Sequence, residues 1–557
     1  ADLFTQISSS AQQQFPYPAE FAQLGSAVIF TASDGIHGLE LWTTDGTAAG
    51  THLLADICPG VCGSSPFEFT PLGSRLLFSA GDGAHGRELW ETDGTAAGTR
   101  MVKDLLPGVE DSHPSRFLKS GDTVFFSAQE PDTGREIWKT DGTAAGTVRI
   151  ADVRPGPEGS SPAFLAAVGS SLFFEADDGV HGLELWKTDG TGGGTAIVKD
   201  LAPGADWGIH QVDFNPVFAV LGDRLFFIGT DPAHGEEIWS TDGTEAGTTL
   251  LKEIGPLSAG ASPAGLVAIG TQIFFRADDA VHGSEMWKTD GTEAGTVLVK
   301  DIQPGAAGSG AFSFTAVGSQ IFLIADDGTH GAELWVTDGS EAGTQLVADI
   351  FPGPGRGLPW ILQAFTAFGN TLLFFADDGA HGQELWQSDG TALGTSLVAD
   401  LTPGPESSWS ALEAATVDRR VVAGGLWYFR ALSAGDLKYW ISDGTGAGTH
   451  LLAAINTQSS AFPIWSHGSL LEPGGIVPFR GGVAFPAEGG SNHADAWLSD
   501  GTAAGTFQLD DAGGGADPFT FRTPVVLGSS LFFTADDGVH GSEIWKSDGQ
   551  PGDAAMF

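Results

Sequence analysis

An all-β fold is predicted for this chain: a single large β-propeller of about eleven four-stranded blades. Three observations predict it. One stretch recurs eleven times, and its tryptophans (Trp42, Trp90, Trp138, Trp186, Trp239, Trp287, Trp335, Trp386, Trp440, Trp497 and Trp545) stand 48 to 57 residues apart. Each unit holds four short runs of β-branched and aromatic residues separated by turn residues. No stretch shows helical periodicity.

The unit around Trp335 shows the elements. Phe314 to Val317 is a first strand, closed by a turn at Gly318-Ser319. Gln320 to Ala325 is a second, and Asp326 to Gly331 a connecting loop. Glu333 to Thr337 is a third, ended by Asp338-Gly339, a pair that tolerates positive φ. Gln345 to Ile350 is the fourth, and a Pro-Gly loop leads to the next unit. Strands apolar on both faces fit blades covered by a neighbour on each side. A β-solenoid competes, but its periods are shorter and it lacks such hairpins.

The ends of the chain predict how the ring closes. The last unit reads as stopping after its third strand, and the tail from Gln550 to Phe557 lacks a recognisable fourth. Leu3 to Ile7 resembles a fourth strand, so the N-terminal strand is expected to complete the last blade and leave no open edge. Two smaller propellers in tandem are the alternative; no linker-like segment divides the repeats. Units within residues 401–500 are irregular, and residues 202–216 carry a longer inter-unit loop. Such departures in a regular array often mark a contact surface.

Composition narrows the partners. The 557 residues include 70 acidic and 25 basic ones, a formal charge of −45. That field repels phosphate backbones, which excludes nucleic acid as the natural partner. It favours cations, calcium first, since calcium prefers oxygen ligands. No apolar run of about 18 residues exists, so no membrane insertion is expected. Cys58 and Cys62, the only cysteines, are a disulfide candidate, which favours an exported protein. A start at Ala1 without a signal peptide is what a processed, exported chain would show.

The repeated residues Glu40-Leu41-Trp42, Glu88-Leu89-Trp90, Glu184-Leu185-Trp186, Glu333-Leu334-Trp335 and Glu384-Leu385-Trp386 are each followed by Asp-Gly. Ile137, Met286, Ile238 and Ile544 replace the leucine elsewhere. This pattern resembles the ELWxxDGT repeat family of exported bacterial proteins. The resemblance covers nearly the whole chain and implies an exported, extracellular, cell-surface or periplasmic propeller-like array. It implies little about activity, because propellers serve as enzymes, lectins and scaffolds.

Three sets of residues could carry chemistry. The turn aspartates, such as Asp93, Asp141 and Asp338, read as acceptors for their own turn's N–H groups. The motif glutamates would be partly buried and must find hydrogen-bond donors. The loop histidines His37, His85, His181, His234, His282, His330, His381 and His540 have acidic neighbours, so they could lock the loop or bind a cation. No calcium-loop or zinc motif accompanies them. Of the tryptophans outside the motif, Trp207, Trp360, Trp409 and Trp465 fall in loops joining fourth to first strands. Those loops and the histidine loops should emerge on one face, where an amphipathic ring suits stacking on a sugar or insertion into a partner.

The expected function is therefore an exported binding or adhesion scaffold that recognises a glycan, a surface polymer or a protein on that face. One alternative is a secreted hydrolase or lyase with a site in the central channel. Another is a structural component of an extracellular assembly held together by calcium.

Overall fold

Alternating side chains place every strand. A computed structural model describes residues 21–33, 36–45, 50–204, 206–209, 217–257, 259–359, 365–408, 421–433, 436–451, 476–488, 494–502, 504–509, 522–536 and 542–556. Each of the eleven units forms one four-stranded antiparallel sheet with its strands in chain order. The blades are numbered 1 to 11 after their motif tryptophans. Blade 7 runs Phe312–Val317, Gln320–Asp326, Ala332–Thr337 and Gln345–Ala348. Its first strand begins two residues before the expected start. A bulge between Phe312 and Thr315, with Ser313 at φ 59°, lets pairing resume across an extra residue.

The Leu-Trp pair of the motif follows from period two. In blade 7, Leu334 and Val336 pack toward blade 8 with Phe322 and Ile324. Trp335 packs the other way, toward blade 6, with Ile321 and Leu323. Burying an aromatic or aliphatic side chain of this size contributes about 1.5–3 kcal/mol. Both faces of each sheet are therefore core, and the strands are apolar runs.

The blades close into a ring. Each interface between successive blades has its own buried cluster. One further cluster joins Phe532 and Ile544 of blade 11 to Val28, Phe30 and Trp42 of blade 1. An open row would lack that cluster. First strands of successive blades adjoin, so the first strand is innermost and the fourth outermost.

The closure differs from the expectation in one respect. Blade 11 is completed by its own tail: Ala555–Met556 pairs with Trp545 and Lys546. Gly552 N–H donates to the Leu509 carbonyl at 2.9 Å, and Ala554 is buried beside Leu509 of blade 10. Two residues of strand suffice because the tail is anchored by this neighbour. Residues 3–7, expected to fill the place, lie outside the described residues. Among the described residues the only helix is a 3-10 turn at Gly192–Gly194. Among the described residues no helix is long and apolar enough to cross a membrane.

Candidate functional face and channel

The histidine loops are stapled by an Asp-x-x-His pair. In blade 4, Asp178 Oδ1 accepts from the N–H groups of Val180 and His181 at 2.8 and 2.7 Å, and Asp178 Oδ2 meets His181 Nδ1 at 2.6 Å. The same contact, 2.6–2.7 Å, recurs at His85, His234, His282, His330 and His381. The bond to Asp178 raises the His181 pKa. Burial alone would raise Asp178, but the bonds from His181 take it below the usual carboxylate range. The second ring nitrogen of His234 lies 3.4 Å from Glu253. His37 also has an interaction partner; His540 lies outside the described residues. No group of three or more His, Cys, Asp or Glu side chains gathers as a metal site among the described residues.

The inter-blade loops are held by the motif glutamates, fully buried in blades 1 to 8. Glu136 accepts from the N–H groups of Val153, Arg154 and Ser160 at 3.0 Å, and from the Ser160 hydroxyl at 2.6 Å. These donors lie 17, 18 and 24 residues downstream. One carboxylate thus pins both arms of the loop, and burial raises its pKa against those bonds.

The two loop sets share one face. Arg154, from the loop entering blade 4, pairs with Asp177 beside that blade's histidine loop at 2.8 Å. Cys58 and Cys62 are joined as a disulfide in the loop entering blade 2. Gly83 of that blade's histidine loop lies so close that a Cβ would meet Cys58 Sγ at 2.9 Å.

The turn aspartates sit at the opposite end of the blades. Asp93 Oδ1 accepts from the Thr95 hydroxyl at 2.6 Å and its N–H at 3.0 Å. These bonds lower its pKa. The next residue, Gly94, has φ 86°, which favours glycine. Thr92 and Thr99 close the turn through a hydroxyl pair at 2.8 Å. The repeated carboxylates and imidazoles described here are thus engaged in holding loops and turns.

Large exposed apolar side chains separate by face. Ile36, Val180 and Val281 tip the histidine loops, and Val61, Val109, Trp207 and Leu257 the inter-blade loops. In the opposite turns only Leu393 stands out among the described residues. Trp207 is 57% exposed, next to Gly208, whose N–H donates to the Leu183 carbonyl at 3.0 Å. Trp360, Trp409 and Trp465 lie outside the described residues. Trp427, the remaining tryptophan outside the motif, is buried between blades 8 and 9.

A second surface escaped the reading of the sequence. The residue before the last one of each innermost strand is exposed and lines the channel: Gln23, Pro71, Lys119, Ala167, Val220, Ala268, Ala316, Ala367, Val422, Pro478 and Val526. None is acidic in a chain with 70 acidic residues. The signal was a column two places before the turn residue that follows each first strand.

No protein-family model matches the chain, and no curated protein sequence matches it. Similar solved structures include the computationally designed Ika8 protein, at 16% identity and a TM-score of 0.28, covering 65% of this chain and 94% of that one. Puromycin hydrolase matches at 15% and 0.29, covering 62% and 54%. The tricorn protease matches at 13% and 0.22, covering 96% and 49%. The chain thus spans about half the length of the two enzymes. At these identities and scores, none of their activities is carried over.

Proposed function

We propose that this chain is an exported β-propeller of the ELWxxDGT repeat type, acting as a binding or adhesion scaffold for a glycan, surface polymer or protein partner. The binding face is the one formed by the histidine loops and inter-blade loops. One observation carries the reading: among the described residues, seven of the eleven large exposed apolar side chains gather on that face, three line the channel, and the opposite turns offer only Leu393. Exposed apolar tips rimmed by polar groups are what partner surfaces show.

The state of the ionisable groups supports binding over catalysis. A general acid or base needs a free position toward its substrate. The glutamates accept from loop amides, the aspartates from their own turns, and the histidines are held by their staples. The acidic surface would also attract calcium as a counter-ion.

The test compares wild type with Trp207→Ala and Leu257→Ser on a glycan microarray and on bacterial cell surfaces, with calcium and with chelator. Binding should fall at least tenfold in either variant with an unchanged melting temperature. Binding that survives both substitutions would move the site off this face. Turnover of a polymeric substrate by the purified chain would overturn the scaffold reading.

A further inference from the structure

The collar of the channel is an uncharged strip inside an acidic protein, with one cationic exception. Lys119 is the only charged residue in the collar of eleven. It lies on the innermost strand of blade 3, Ser115–Ser120, together with exposed Arg116. Ten of the 25 basic residues fall between residues 75 and 154, against 13 acidic ones.

We propose that the channel binds a carboxylate-bearing glycan against blade 3, with Arg116 and Lys119 as its cationic contacts. The proposal goes beyond the binding reading: it is a second, independent site in the channel, away from the apolar tips that carry that reading.

Three observations support it. Neither Arg116 nor Lys119 makes an ion pair among the described residues, although acids outnumber bases by 70 to 25. Arg75 and Arg149 do pair, with Glu91 at 2.7 Å and Glu130 at 2.9 Å, while Arg87 and Arg135 bond carbonyls and hydroxyls. Of the Arg116 donors, Nη1 reaches the Pro162 carbonyl at 3.2 Å, which leaves most of the fork free. The neighbouring acid, Glu68, uses Oε2 on the Phe117 N–H at 3.1 Å.

The second observation is conformational. Arg116 has φ 59°, in a bulge position that blades 2, 6 and 7 fill with Glu68, Gly265 and Ser313 at φ 60°, 67° and 59°. Blade 3 fills this left-handed position with a long cation. The third is electrostatic. Arg135, behind Arg116, bonds the His113 carbonyl at 2.9 Å and the Ser115 hydroxyl at 3.1 Å, and its positive charge reinforces the site.

The chemistry selects the ligand. Arg116 and Lys119 are three residues apart on one strand, about 10 Å. Two separated cations suit single negative charges spaced along a chain, and a guanidinium fork fits a carboxylate. A compact dianion would place its second charge against Glu68. The prolines, alanines and valines of the collar can cover the apolar faces of sugar rings.

The experiment is calorimetric titration of the full chain with trigalacturonate, neutral galactotriose and inorganic phosphate. Trigalacturonate should bind, at least tenfold tighter than either comparator and more weakly with rising salt. Arg116→Gln and Lys119→Gln should each weaken it at least tenfold with unchanged melting temperatures, Arg116→Lys should recover part, and Trp207→Ala should leave it unaltered. No binding by wild type, or binding by both glutamine variants as tight as by wild type, overturns the proposal. Phosphate binding as tight as trigalacturonate overturns the ligand class. Loss in Trp207→Ala would place the ligand on the apolar tips and overturn the channel site, while loss of cell-surface binding alone in that variant concerns only the outer face.

Discussion

Glu184 and Gly208 touch so closely that a β-carbon on Gly208 would collide with the Glu184 carboxylate. In blade 1 the matching place holds Ser64, whose hydroxyl donates to Glu40 at 2.5 Å. Blades 4, 5 and 7 have Gly208, Ala261 and Gly357 instead. With the hydroxyl gone, Glu184 Oε2 and Glu237 Oε2 are buried with no hydrogen-bond partner among the described residues. Burial then pushes Glu184 and Glu237 up to about 7 and Glu333 to about 8. Glu88 and Glu384 keep their serines and still reach about 7, through burial first and then the charges of Asp104 and Asp400.

These shifts predict a stability maximum in mildly acidic solution. A glutamate raised from 4.5 contributes fully below 4.5, and its contribution is lost as pH rises through about 7 to 8. The stapled histidines, raised above 6.5, act in the same direction. The turn aspartates, lowered below 3.8, stabilise above 3.8 and lose their contribution as pH falls through the lower folded value. Calorimetric melting temperatures should therefore peak between about pH 4 and 6 and fall toward pH 9. Glu184→Gln should flatten the alkaline side. A melting temperature that climbs from pH 6 to 9 would show that these carboxyls are ionised in the fold.

Glu136→Ala is expected to be among the most damaging single changes. It would strand three backbone N–H groups and the Ser160 hydroxyl in a buried site. Each orphaned group costs about 1–3 kcal/mol, so a total of about 3–5 kcal/mol is expected after relaxation. Urea unfolding measures it. A loss under about 1 kcal/mol would mean that water replaces the carboxylate.

Much of this was legible in the sequence because it depends on periodicity. The unit length, the four strands and the two-sided core all follow from where Leu334 and Trp335 must point. The 24-residue link from Glu136 to Ser160 was visible as a repeated spacing, but it takes the folded loop to show a contact. The bulge at Ser313 left no signal, since serine rarely adopts positive φ. The Ala555–Met556 strand was missed because Pro551-Gly552 before it reads as a tail. The channel collar was missed because alanine, proline and valine look like ordinary strand residues until the innermost strand is known.

Asp178→Ala should loosen one histidine loop without harming the ring. It removes three short contacts, to the N–H groups of Val180 and His181 and to the imidazole. Loss of such a cap costs about 0.5–2 kcal/mol. Hydrogen exchange should quicken at residues 179–182 and stay unchanged in the strands of blade 4. Faster exchange across the blade would give the staple a global role.

Closure of the ring makes the strongest prediction, because it compares two equivalent substitutions. Phe532 lies in the cluster that joins the last blade to the first, and Phe322 in the cluster between blades 7 and 8. They occupy matching places on second strands and are 3% and 0% exposed. Removing a buried phenylalanine costs about 3–5 kcal/mol when its site cannot collapse. In a closed ring the seam is one more interface, so Phe532→Ala and Phe322→Ala should destabilise alike, within about 1 kcal/mol. In an open or breathing ring Phe532→Ala would be nearly silent, since its site would already exchange with water. Equal losses in denaturant unfolding support a sealed seam; a silent Phe532→Ala beside a costly Phe322→Ala would show that blade 11 does not hold blade 1 in solution.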